Sequence, residues 1–296
     1  MKPNETSTSW RAHGLHGAVT ALALASALVL QTGCGGSPFV DIEETVNCAV
    51  TNCKDSELLQ SDALSPHAIV LGQDGLLNVS VSVGQSANLL TRIRLTGADR
   101  IYAQTDSQRI ELRDSDGRGN SYIGQLPSSQ VQPSISIILE RRGEQHVSSV
   151  TLPKSFSVLS PLGPVSLNRS AGKLMVQLGQ EAGSSVDNRS NLRCKRADGS
   201  SFSGGMSDGV SLPFLIENQA GAPWVRINTL DLDLALNEHS RSLDKTTPNL
   251  SAVQSCEIDV SWRVYRMGST ANTLSRHTTV RGERAARQSI GYDARL

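Results

Sequence analysis

Aromatic residues are scarce in this chain: four Phe, four Tyr and three Trp among 296 residues. Extended stacking platforms for sugars or bases are thereby excluded as the main recognition device. An excess of one charge is missing too, since 28 Lys and Arg face 28 Asp and Glu. Nucleic-acid binding leans on a basic footprint, and a neutral balance argues against it. The six His residues show no H-x-H or H-E-x-x-H spacing, and no Gly-rich phosphate loop is present. Long helical periodicity is absent. The uncharged apolar run Gly17 to Leu30 has 14 residues, whereas a membrane-crossing helix needs about 20.

That run has the makings of a secretory signal. Lys2 and Arg11 precede it as a basic flank, and it ends in Thr32-Gly33-Cys34-Gly35-Gly36. The ending resembles a bacterial lipobox: Thr32, Gly33 and Cys34 match, with Gln31 where an aliphatic residue is usual. The resemblance implies cleavage after Gly33, acylation of the Cys34 sulfur and acylation of the new amine. Several acyl chains give stable anchoring where one gives only marginal binding. Gly35 stands where the family's inner-membrane retention signal, Asp, would be, which implies the outer membrane. Removing residues 1–33 takes away Lys2, Arg11 and Glu5 and leaves 26 basic and 27 acidic residues.

Once Cys34 is lipidated, Cys48, Cys53, Cys194 and Cys256 remain. An exported protein sits where disulfides persist, and four Cys allow three connectivities. Cys48–Cys53 with Cys194–Cys256 keeps each pair within one region and is the preferred solution. As a zinc knuckle, Cys48-x4-Cys53 has the wrong spacing and no neighbouring His.

Four segments follow: the signal at 1–33, an acidic tether with a small disulfide loop at 34–64, and sandwiches at 65–154 and 155–296. From Asp41 to Asp62 six acids oppose Lys54, which reads as a solvated spacer. Beyond Ser65, Leu77, Val79, Val81 and Val83 alternate with Asn78, Ser80 and Ser82, the pattern of a half-buried strand. Leu89 to Leu95, Arg100 to Ala103, Arg109 to Leu112, Ser134 to Glu140 and Val147 to Leu152 follow at turn-bounded intervals typical of a sandwich. In the last segment, Lys173 to Leu178, Val225 to Leu236 and Cys256 to Val264 read as strands, with Trp224 and Trp262 as large core residues. Thr151 to Phe156 followed by Pro161 resembles a connection in uncharacterised proteobacterial lipoproteins with paired Ig-like domains. The fold expected is all-β, two Ig-like sandwiches.

Catalytic patterns are weak. Gly205-Met206-Ser207-Asp208-Gly209 fits G-x-S-x-G, but its flanks are loop-like where a nucleophile elbow needs strand, turn and helix. A serine hydrolase in the second sandwich, with His239 or His277 as base, is the alternative. Ser170-x-x-Lys173 and Ser242-x-x-Lys245 have no companion motifs. Asp114 to Asn120 looks like the start of a calcium loop, but Arg118 stands at its fifth position; an Asp-Gly turn accounts for it. From Arg263 to Leu296, seven Arg face Glu283 and Asp293. Arg263, Arg281, Arg284 and Arg287 are therefore candidate anion-binding residues. The expectation is a non-catalytic envelope module without cofactor or metal. Its partners are the membrane, through the lipid, and an envelope protein or polymer, not nucleic acid. A second alternative is a small-ligand or glycan sensor with a pocket at Trp224 or Tyr265.

Overall fold

The structure, a computed structural model, describes residues 53–181, 183–205, 211–219, 222–247 and 249–296. Cys34, Cys48 and Ser207 lie outside them. In chain order the first strands are β1 (Cys53–Asp55), β2 (Leu64–Gln73), β3 (Leu76–Gln85), β4 (Asn88–Arg94), β5 (Arg100–Gln104) and β6 (Arg109–Glu111). Next come β7 (Arg113–Asp114), β8 (Tyr122–Pro127), β9 (Ser134–Arg141), β10 (Glu144–Thr151), β11 (Val158–Ser160) and β12 (Val165–Asn168). The remainder is β13 (Lys173–Leu178), β14 (Ser185–Arg196), β15 (Ser201–Gly204), β16 (Leu215–Gln219), β17 (Ala222–Asn228), helix α1 (Thr229–Leu243), β18 (Val253–Met267) and β19 (Thr279–Asp293).

The described elements are almost all β-strands, with one longer helix, and they fold as two sandwiches around two cores; apolar alternation is the reason. In β3, Leu77, Val79, Val81 and Val83 point inward, while Ser80 lies exposed between them. One core gathers residues from Leu64 to Leu152, closed at its back by the sheet β10-β9-β5-β6. The other gathers Leu167 to Tyr292 around the fully buried Trp262, closed by β11-β13-β17-β16. Trp262 donates Nε1–H to Gln288 Oε1 at 3.0 Å and meets Phe214 edge-on.

Both cores share one front sheet of eleven strands, whose main path runs β1-β4-β3-β2-β19-β18-β14-β15. The hairpin β18–β19 makes it continuous. The C-terminal end of β19 pairs with β12 through Ile290 to Asp293, and its N-terminal end runs parallel to β2 from Thr279 to Arg284. At the hairpin tip Leu274 and Val280 enter the first core, although every other buried member of that core comes from residues 64–152. Ser149 and Ser269 exchange backbone hydrogen bonds at 2.9 Å. Gly282 lets Val150 and Leu152 approach its backbone closely; a Cβ there would stand 3.0 Å from Val150. Leu274→Ala should therefore destabilise the first sandwich by about 2 kcal/mol, read as lost amide protection in β5 and β9. Protection unchanged in those strands would contradict the shared core.

Residues 53–63, read from the sequence as part of a free spacer, pack onto the first sandwich. β1 runs parallel to β4, and Asp55 pairs with Arg94 at 3.0 Å. Ser56 is wholly buried, and its Oγ accepts the Thr96 N–H. The buried Arg141 donates to Ser56 O at 2.5 Å and Leu59 O at 2.6 Å. Backbone carbonyls of the segment are thus satisfied by a core arginine rather than by water.

The expected strand from Val225 to Leu236 is corrected by the structure. β17 ends at Asn228 and α1 begins at Thr229. Leu230, Leu232, Leu234 and Leu236 fit a period of two, but Leu232, Leu236 and Ser240 also fit i, i+4, i+8. Only these last three are buried, while Leu230 is 65% and Leu234 57% exposed. A strand would have placed all four leucines on one face. Tertiary burial of a single helical stripe decided between the two periods. Asp233, on the adjoining face, receives Arg169 at 2.9 Å and the Tyr292 hydroxyl at 2.9 Å.

Cys194 and Cys256 are joined, and they are directly paired residues of neighbouring β14 and β18 with Cα atoms 4.1 Å apart. The bridge lies within one sheet, unlike the inter-sheet bridge of antibody domains. Cys53 is also disulfide-bonded.

Candidate functional site

The outward face of the front sheet carries charged residues where the two sandwiches meet. β18 contributes Arg263 and Tyr265, β19 Arg281 and Glu283, and β14 Asp187 and Arg189; pairing sets Asp187 beside Arg263 and Glu283 beside Tyr265. On β2, Ile69 and Leu71 pair with Arg281 and Glu283. Residues from both halves of the chain are brought together on this one face.

Glu283 is the centre of the group and is 0% exposed. Its Oε2 accepts Arg263 Nη1 at 2.7 Å, and Arg281 Nε lies 2.5 Å from its Oε1. Arg281 reaches on to Asp187 Oδ2 at 3.2 Å and stacks over the Tyr265 ring, 3.6 Å from its centroid. Burial lowers the Arg263 pKa, opposed by Glu283 and reinforced by the nearby positive charge of Arg189. Arg263 Nε is buried without a hydrogen-bond partner.

Beside this network lies a trough of about 750 Å³. Its floor includes Ile69 and Leu71 of β2 and Ile123 of β8; its rim includes Arg113, Arg189 and Arg263. The Asp114 carboxylate also lines it, but Oδ1 and Oδ2 accept the backbone N–H groups of Asp116 and Gly119. A concavity of this size, largely apolar with a few convergent polar groups, is the usual form of a small-molecule site.

The four arginines singled out in the sequence have different fates. Arg263 and Arg281 meet at Glu283, as above. Arg287 is exposed on the same face of β19. Arg284 points the other way: it is buried, donates to Pro153 O at 3.3 Å and Val131 O at 3.2 Å, and lies against Gly72. Burial lowers its pKa. Arg266 and Arg295 pair with Glu181 and Asp293. Much of the positive charge of the C-terminal segment is therefore met within the molecule, and the four candidates do not form one open patch.

Arg189 and the apolar floor were missed by the sequence reading. The signal for Arg189 was present: Asp187, Arg189, Arg193 and Lys195 alternate with Val186, Asn188, Leu192 and Cys194 through β14. Nothing local could have joined Ile69 to Arg281, since a parallel pairing over such a separation leaves no turn to read.

Other candidates are engaged elsewhere. Ser170 and Ser242 donate their hydroxyls to Asn168 Oδ1 and His239 O. Asp114 and Asp116 hold backbone N–H groups of their own loop, with Gly117 and Gly119 at positive φ. Among the described residues, no three His, Cys, Asp or Glu stand together as a metal site. Trp224 lies in β17, and Tyr265 is covered by Arg281.

No family model and no curated protein matches the chain. Among solved structures it is similar to a chimeric titin Z1Z2-Z1Z2 tandem, at 13% identity and a TM-score of 0.18, over 75% of this chain and 96% of that one. It is also similar to titin domains A168–A170, at 9% identity and a TM-score of 0.19, over 75% of this chain and 64% of that one. Extracellular domains 3–5 of Drosophila OTK align at 8% identity and a TM-score of 0.20, over 76% of this chain and 60% of that one.

Proposed function

We propose that this protein is a lipoprotein of the outer membrane, held through acylated Cys34, whose two sandwiches act as a non-catalytic binding module. The observation that carries the binding reading is the trough, walled by strands of both halves of the chain. Because the β18–β19 hairpin contributes to both cores, the trough walls are preorganised, which lowers the ordering cost of binding. Its partner is an envelope constituent that presents an anion to the guanidinium groups.

The anchor reading is supported by the Gly33-Cys34 signature. Between Cys34 and Cys53 stand 18 residues, a reach of about 60 Å when extended. Radiolabelled palmitate should enter the wild-type protein and not Cys34→Ser, which should accumulate unprocessed. Wild-type protein that never takes up the label removes the anchor from this reading.

A further inference from the structure

We propose that the trough on the shared sheet binds a small anionic amphiphile, with an oxyanion head on a single apolar chain. This rests on the binding-module reading and names its ligand class. The apolar part of the ligand follows from the floor. Ile69, Leu71 and Ile123 lie on the outward face of the sheet, where alternation ordinarily places polar residues, and Ile123 is 47% exposed. A hydrocarbon chain lying across them removes that apolar surface from water.

The anionic head follows from the rim. Arg189 has neither hydrogen bond nor ion pair among the described residues, and Arg263 keeps a buried Nε unpartnered while Nη1 holds Glu283. Arg113 is exposed on the opposite rim, and the carboxylate of Asp114 is occupied by its own loop. Including Asp187, Glu283 and Arg281 behind the rim, four guanidinium groups face three carboxylates, so the site keeps a net charge of +1. Guanidinium groups meet an oxyanion through paired, charge-assisted donors. A neutral amphiphile leaves those donors empty, and a bare anion leaves the floor wet.

The test uses the full chain in neutral maltoside micelles, titrated calorimetrically with octyl phosphate, octanol and inorganic phosphate. Octyl phosphate should bind saturably, at one per chain, and about ten-fold or more tighter than either part alone. Arg189→Met should weaken octyl phosphate about ten-fold and leave octanol unchanged. Leu71→Asn should weaken octyl phosphate while leaving inorganic phosphate unchanged. Octanol binding as tightly as octyl phosphate, inorganic phosphate doing so, or an indifferent Arg189→Met each overturns the assignment. Labelled, membrane-held protein that fails to bind octyl phosphate sinks only this ligand class. Saturable binding by protein that takes up no palmitate sinks only the anchor.

Discussion

Glu283→Gln is expected to cost about 3–5 kcal/mol, the range for removing one partner of a buried ion pair. The side chain is nearly isosteric, so neither cavity nor lost apolar contact contributes. What changes is charge: Arg263 and Arg281, with side chains 11% and 21% exposed, lose the carboxylate that each approaches within 2.7 Å. Arg281 retains Asp187, but Arg263 has no other acid within ion-pair range among the described residues. The urea midpoint should fall by about 1 M or more. Adding Arg263→Met and Arg281→Met to Glu283→Gln should recover much of the loss, because an apolar replacement of a whole buried network is often neutral. A Glu283→Gln protein with the wild-type midpoint would show that Glu283 does not hold the junction.

The second large effect is expected from the bridge between β14 and β18. Cys194 and Cys256 are 62 residues apart in sequence. Constraint of the unfolded chain by a ring of that size gives about 4 kcal/mol by the loop-entropy relation. Both residues are buried against the second core, so Cys194→Ala with Cys256→Ala also loses some packing. Equilibrium unfolding of that double variant, compared with the oxidised wild type, measures the sum. The loss should appear first as exchange in β14 and β15, which lie beyond β18 at the end of the sheet. Identical unfolding of the two proteins would mean that β14 is held by its ladder alone.

How far these features were legible in the sequence follows from the range of the interactions that create them. Period-two alternation is local, so β3, β9, β13 and β18 could be read directly, as could the all-β fold. Pairing Cys194 with Cys256 followed from compartment and region, and neighbouring strands place the two side by side. Local pattern failed where two periods fit the same residues. Leu230 to Leu236 satisfied both strand and helix, and only burial of Leu232 and Leu236 against the second core selected the helix.

The arginines mark the same limit. Their number in the C-terminal segment was readable. Which of them remains open to a ligand depends on partners far away in sequence. Asp187 reaches Arg281, the carbonyls of Val131 and Pro153 receive Arg284, and Glu283 is buried beneath two guanidinium groups. The sequence by itself determined strands such as β3, β9, β13 and β18, with their apolar faces and the chemistry of each side chain, because these depend on neighbours one or two residues away. Tertiary structure alone decided that one hairpin serves both cores and that a trough opens where they meet. Parallel pairing of β19 with β2 joins residues more than 200 positions apart, and no local preference encodes such a partner.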